Sequence, residues 1–283
     1  MKQAIRTLAT MIAAMAVTSA VSAQALRQIV FQVYDADSGE PLAASVSVDG
    51  NKIEGGRLTL AQDQESTIAI QVQTTAGASY RPRTFNVFLA NFTGTQAIQK
   101  IYLAPRGAEG RVYSRGNVAR ATSYRGQDVD RAVALLERIY EESPSDLHGT
   151  QFGVYLRYNL AAALFGNCTE KFVDSCDAAK TMFEELLAEF DDRRAMFEAE
   201  RIGKNNLTTS DFDGQTLINR YRRAKWDLSR GRYESARDAF QELLSEAEGD
   251  ARVSAQLKVR VGQLKSDVDL AETRLQSART APP

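Results

Sequence analysis

Between residues 24 and 105 apolar and polar side chains alternate. Ile29, Phe31 and Val33 alternate with Gln28, Gln32 and Tyr34, and Val46 and Val48 with Ser45 and Ser47. The same two-residue period runs through Leu58 and Leu60, through Ile68, Ile70 and Val72, through Phe85, Val87 and Leu89, and through Ile101 and Leu103. A period of two belongs to strands with one buried and one wet face. Asp37-Ser38-Gly39, Asp49-Gly50-Asn51 and Gly55-Gly56 separate these runs and supply the positive φ or side-chain hydrogen bonding that tight turns need. Six or seven short strands over such a length predict an antiparallel β-sandwich.

From Asp128 onward the period becomes helical. Ala132, Leu135, Leu136, Ile139 and Tyr140 form one stripe, closed by Ser143-Pro144. Further helices are predicted over 151–165, 177–190, 192–202, 214–230, 233–247 and 250–278, with Gly166, Gly203, Gly231 and Gly249 near their ends. In the last of these, Val253, Leu257, Val261, Leu264, Val268, Ala271 and Leu275 step by three or four residues, close to a heptad seam. Such a seam implies either a helix that caps the end of the helical array or a homodimer through residues 250–278. The cap is the favoured expectation, because a three-heptad coiled coil standing alone is marginal.

The amino-terminal segment 1–23 follows another rule. Lys2 and Arg6 precede an apolar run from Leu8 to Val17, and Val21-Ser22-Ala23 offers small residues for cleavage. This is the pattern of a secretory signal peptide cut after Ala23, and it places the mature chain in the periplasm or outside the cell. No later apolar stretch is long enough to span a bilayer. The 283-residue chain carries 35 Lys and Arg against 36 Asp and Glu, a formal charge of −1, which argues against a nucleic-acid binder. Residues 24–105 hold 6 basic and 7 acidic side chains, residues 126–283 hold 22 and 28, and residues 106–125 hold five arginines and only Glu109. That basic stretch reads as a linker between two mildly acidic modules.

Both modules resemble known families. VYDADSGEPLAASVSVDG at 33–50, followed by Gly56-Arg57-Leu58-Thr59-Leu60 and closed by IYLAP at 101–105, resembles the carboxypeptidase regulatory-like, prealbumin-type sandwich. Ser38 stands where that family has a threonine, and Ala44 where it has a Gly-Ala pair. The resemblance implies a companion module that stabilises, spaces or binds. In the helical half, Ala236, Phe240 and Leu243 after Gly231-Arg232-Tyr233 resemble the second helix of a tetratricopeptide repeat. The same small, large, apolar trio recurs as Ala179, Phe183, Leu186 and as Ala132, Leu136, Ile139, while Tyr158 and Ala161 echo Tyr221 and Ala224. Small residues at these points let helix axes approach closely. The trios open at Ala132, Ala179 and Ala236, at unequal intervals that both exceed the repeat length of the family, so the array is irregular. A generic helical bundle with the same periodicity is the alternative reading.

Little of the chain suggests chemistry. Cys168 and Cys176 are the only cysteines, and in an oxidising compartment they predict a disulfide closing a short loop between two helices. A redox pair would want two-residue spacing, and a zinc site would want histidines. The single histidine, His148, lies in a loop with no convincing serine or cysteine beside it, and no Gly-x-Ser-x-Gly elbow or phosphate-binding loop occurs. Asp35, Asp37 and Gly39 hint at calcium, as do Asp211, Asp213 and Gly214. Thr209 and Arg220 occupy the outer ligand places of the second, so both read as side-chain-bonded turns or helix starts. Asn-x-Thr sequons begin at Asn91, Asn167 and Asn206 and matter only on a eukaryotic secretory route. Arg220, Arg222, Arg223, Lys225, Arg230 and Arg232 crowd one hairpin among Tyr221, Trp226 and Tyr233. Cations interleaved with aromatics suit peptide carboxylates, anionic glycans or lipid headgroups, and the bland alternative is a solvated face.

The expected whole is an α+β multidomain chain: signal peptide 1–23, β-sandwich 24–105, basic linker 106–125 and tetratricopeptide-like helical domain 126–283. The leading expectation is a non-catalytic, protein-binding adaptor of the bacterial cell envelope that needs no cofactor or metal. By resemblance its partners, other envelope proteins, meet the helical array at Tyr158, Arg220, Tyr221, Arg223 and Trp226. The alternative is carbohydrate or peptidoglycan binding through the β module, with Tyr80, Phe88 and Phe92 as aromatic contacts. An envelope hydrolase ranks last.

Overall fold

The computed structural model describes residues 28–75, 79–92, 94–107, 113–190 and 209–280. The expected signal peptide, the expected helix over 192–202 and the sequon at Asn206 lie outside these residues. Among the described residues seven strands precede eight α-helices, so the chain is mixed α and β, with strands first.

Strands β1 (Gln28–Asp35), β2 (Ala44–Val48), β3 (Asn51–Ile53), β4 (Arg57–Thr59), β5 (Thr67–Thr74), β6 (Arg83–Phe88) and β7 (Gln96–Leu103) form two sheets, ordered β4-β1-β7 and β3-β2-β5-β6. The alternation fixes which face is buried. Ile29, Phe31 and Val33 from one sheet and Val46, Val48, Ile68, Ile70, Val72, Phe85 and Val87 from the other enter a single apolar core. Each such side chain contributes roughly 1.5–3 kcal/mol when fully buried. One pairing corrects the antiparallel expectation. β1 and β7 run parallel, from Gln28 opposite Gln96 to Asp35 opposite Leu103. Parallel neighbours need a long crossover, which is why no local turn signal foretells the pair; here every other strand lies between the two. The approach of β4 to β1 depends on Gly56, whose φ is +65° and where a Cβ would stand 2.8 Å from the Phe31 carbonyl oxygen.

The helices are α1 (Arg115–Ser123), α2 (Val129–Glu142), α3 (Gln151–Glu170), α4 (Asp174–Phe190), α5 (Thr209–Ser229), α6 (Tyr233–Gly249), α7 (Ala251–Leu257) and α8 (Val261–Thr280). Side-chain caps start three of them: the Asn117 N–H donates to Ser114, the Gly153 N–H to Thr150 and the Arg252 N–H to Asp250. All three small, large, apolar trios are buried, with Ala132, Leu136, Ala179, Ala236, Phe240 and Leu243 at 0% exposure. α2 rests on α3, α3 on α4, α5 on α6 and α6 on α8.

Two expectations change here. Part of the stretch read as a linker is helix α1, which buries Val118 and Ala121 and packs on α2 and α3. Its two apolar positions make too short a stripe to stand out among arginines. The single helix expected over 250–278 is broken at Lys258, which takes a left-handed conformation with φ 55°. The break turns Leu257, Leu264, Val268 and Ala271 inward against the preceding helices, where all four are buried. Those four seam residues are covered within one chain, while Val253, Val261 and Leu275 stay half-buried.

The two modules are clasped together at the β1–β2 turn. Asp35 accepts from the N–H groups of Asp37 and Ser38, which orders the turn locally. Three arginines from the helical half then hold it. Arg120 and Arg138 donate to the Asp37 carboxylate at 2.8 and 2.6 Å, and Arg131 donates to the carbonyl oxygens of Ala36 and Asp37. Gly39, with φ +81°, leaves room for Arg131, whose Nη1 lies 2.9 Å from where a Cβ would be. The turn that hinted at calcium is thus occupied by guanidinium groups.

Burial pushes the Asp37 carboxyl up, but hydrogen bonds from Arg138 and Arg120 outweigh it and hold the group below its ordinary 3.8. A depressed carboxyl stabilises the fold fully above that ordinary value, and the contribution is lost as pH falls through the lower, folded-state value. Asp37→Asn is expected to lower the melting temperature at neutral pH and to flatten its fall towards about pH 3, as thermal melts across that range will record.

Candidate functional site

Between the modules lies a cleft of about 840 Å³. One wall comes from β6 and the segments around it, through Arg81, Arg83, Thr84 and Arg106; the other comes from α2, the end of α3 and the start of α4, through Glu137, Glu141, Asn167 and Asp174.

Its floor is a buried polar network. Arg83 reaches both oxygens of Asp130 at 2.8 and 2.9 Å and the Tyr102 carbonyl at 2.9 Å. Asp130 also accepts from the Tyr102 N–H at 2.9 Å and from Asn167 at 3.1 Å. A carboxylate on the helical half thereby closes the free edge of β7, while an arginine on β6 neutralises it. Glu137 lies 3.9 Å from Arg83. Desolvation raises its pKa, and Asp130 adds to the rise against the opposing pull of Arg83 and Arg81. Arg81 pairs with Glu141 and Glu142 across the mouth. Arg106 is exposed and has no side-chain partner among the described residues.

The side of the cleft is made by the cysteine loop. Cys168 and Cys176 lie at disulfide distance, their Cα atoms 5.0 Å apart. In the chain-entropy account so short a loop contributes about 2.5 kcal/mol. The loop also lies along the outer edge of β6. The Phe88 N–H donates to the Lys171 carbonyl at 2.7 Å, the Val173 N–H to the Asn86 carbonyl at 3.2 Å, and the Asn86 N–H to the Asp174 carboxylate at 2.7 Å. Phe172 enters the β core itself, edge-on to Phe85 with ring centres 4.6 Å apart, and is 2% exposed. In the sequence this loop reads as a stapled insertion, and its docking role is missed. The available signal is an apolar pair, Phe172-Val173, inside a loop that should otherwise be polar.

The residues expected to contact a partner are placed elsewhere. Trp226 is 5% exposed and belongs to the β core, its indole N–H donating to the Gln64 carbonyl. Tyr158 is buried at 6% in the helical core. Tyr221 donates to Asp267 at 2.7 Å, and desolvation together with that hydrogen bond raises its pKa. Arg220 pairs with Glu246 and Glu242 on the surface, and Arg223 reaches Thr67 at 3.4 Å. Other cations of the same hairpin join the β half: Arg222 bonds Asn91, and Arg232 bonds Glu65. The structure brings Arg223 and Trp226 together on the β module and leaves Tyr158 apart from them. The aromatic platform expected on the β module is also covered, with Phe88 at 1% and Phe92 at 7% exposure. Tyr80 donates to Asp35, a bond that, with some desolvation, raises its pKa to about 12.

His148 does have a serine beside it: Ser143 Oγ lies 3.0 Å from Nε2. That hydroxyl donates to the Tyr140 carbonyl at 2.7 Å, and the imidazole stacks on Tyr140, so the trio clasps the end of α2. Among the described residues no group of three or more metal-ligating side chains forms, and no helix is long and apolar enough to cross a membrane. Among the described residues the cleft lining holds no histidine, cysteine or lysine. No known protein family, characterised protein or solved structure matches the chain.

Proposed function

We propose that the chain is an exported, non-catalytic protein-binding adaptor of the bacterial cell envelope that receives its partner in the cleft between the modules. The observation that carries this reading is the cleft itself. It is roomy, it is lined by both modules, and its charged walls largely neutralise each other. Such a surface suits a polar chain segment. The signal-like residues 1–23 and the cysteine pair support export. The prealbumin-like and tetratricopeptide-like resemblances remain the finer description of the modules. The contact surface moves from the helical array to the cleft, because the basic and aromatic residues of the array are engaged within the chain. Glycan binding through the β module receives less support, since Phe88 and Phe92 are buried.

A photo-crosslinking amino acid at Ala178, on the cleft wall, tests the reading in cells. A defined protein adduct from that position, absent from the same probe at Arg274 on α8, is the expected result. Equal adducts from both positions, or none from Ala178, would contradict it.

A further inference from the structure

The outer edge of β6 is only half covered. Asn86 and Phe88 direct their backbone groups outward to the 171–174 segment, while Arg83, Phe85 and Val87 face β5, where they stand opposite Val72, Ile70 and Ile68. By the two-residue period of a strand, the next outward residue is Thr84. Thr84 is exposed, lines the cleft, and has no hydrogen-bond partner among the described residues. The edge therefore continues into the cleft with an unpaired N–H and C=O.

Charge points the same way. Arg81 and Arg83 are answered by Glu141, Glu142, Asp130 and Glu137. Arg106 is the cation left over at this end of the cleft. The 171–174 segment runs antiparallel to β6, with Phe172 opposite Val87. A peptide continuing that line would pass Thr84 and end beside Arg106, towards the start of β6. We infer, resting on the adaptor reading above, that the cleft takes the carboxyl-terminal end of an extended peptide. The peptide adds as a short strand to β6 at Thr84, and its terminal carboxylate meets Arg106. Main-chain bonds of this kind give affinity with little sequence demand, and a carboxylate against a guanidinium fixes the register.

The probe is the peptide acetyl-Lys-Thr-Val-Thr-Val, whose alternation suits an edge strand, with either a free carboxylate or a terminal amide. Binding to the full mature chain is followed by backbone amide chemical shifts and by slowed exchange of the Thr84 N–H. The free acid is expected to bind at least tenfold more tightly than the amide and to slow exchange at Thr84. Arg106→Ala should remove that preference. Thr84→Pro, a substitution that edge strands tolerate because only an outward N–H is lost, should abolish binding while leaving the circular dichroism melt in place. Thr84→Ala should bind as the parent does.

Binding that ignores the amide, or that leaves Thr84 exchange unchanged, overturns the strand-addition proposal. Failure of both peptides together with a positive Ala178 crosslink overturns the proposal but leaves the adaptor reading standing. Failure of both measurements removes both.

Discussion

Phe172→Ala is expected to destabilise the protein by about 3–5 kcal/mol, as large a loss as truncating a phenylalanine in the centre of a core. From its position in the chain this is unexpected, because Phe172 sits in the connection between two helices, far along the chain from the strands it supports. The expectation rests on burial and contact. The ring is 2% exposed and lies edge-on to Phe85 among the residues of the β core. Removing it leaves a cavity that the β-bridge between Phe172 and Val87 keeps from collapsing. Urea unfolding followed by circular dichroism measures the loss, and Lys171→Ala, at the neighbouring and only half-buried position, serves as the near-neutral comparison. A Phe172→Ala loss below about 1 kcal/mol would mean that the loop does not complete the core.

Asp130→Ala carries the second large effect, again about 3–5 kcal/mol. Asp130 is 6% exposed and bonds Arg83, Asn167 and the Tyr102 N–H. Its removal leaves the Arg83 guanidinium with only the Glu137 carboxylate, 3.9 Å away, and a backbone N–H without an acceptor, and the penalty is chiefly that of the under-compensated buried charge. The double variant Asp130→Leu with Arg83→Met should therefore recover much of the loss, since it takes away both charges together. Chemical denaturation of the two singles and the double gives the coupling directly. A double variant as unstable as the sum of the singles would show that the pair holds the interface through something other than charge compensation.

These two residues mark where sequence reading succeeds and where it stops. The period of two locates every strand but β3, which opens at Asn51 in a stretch read as a turn, and the helical period locates α2, α3, α4, α5 and α6 closely, because periodicity is a local consequence of which face is wet. The spacing of Cys168 and Cys176 likewise announces a closed loop. Docking of one module on the other leaves no such period. Phe172 reads as a loop residue until β6 is beside it, and Trp226 reads as a groove aromatic until the β core surrounds it. Asp37 reads as a turn former until Arg120 and Arg138 reach it. The arginines of α5 and its following turn look like a surface seeking an anion, yet Asn91, Thr67 and Glu65 of the β half answer three of them. A helix face that binds an outside partner and one that binds the chain's own second module have the same composition. The cleft is invisible in the sequence for the same reason: its two walls come from segments well separated along the chain, and neither wall is a motif.

On this account the β half and the helical half form one cooperative unit, and their union creates the cleft. Differential scanning calorimetry of residues 24–283 is the direct test. One transition is predicted, with calorimetric and van't Hoff enthalpies that agree, because Phe172, Trp226 and the Asp130–Arg83 pair cannot be exposed in one half without unfolding the other. Two separable transitions, with the lower one insensitive to Phe172→Ala, would contradict it.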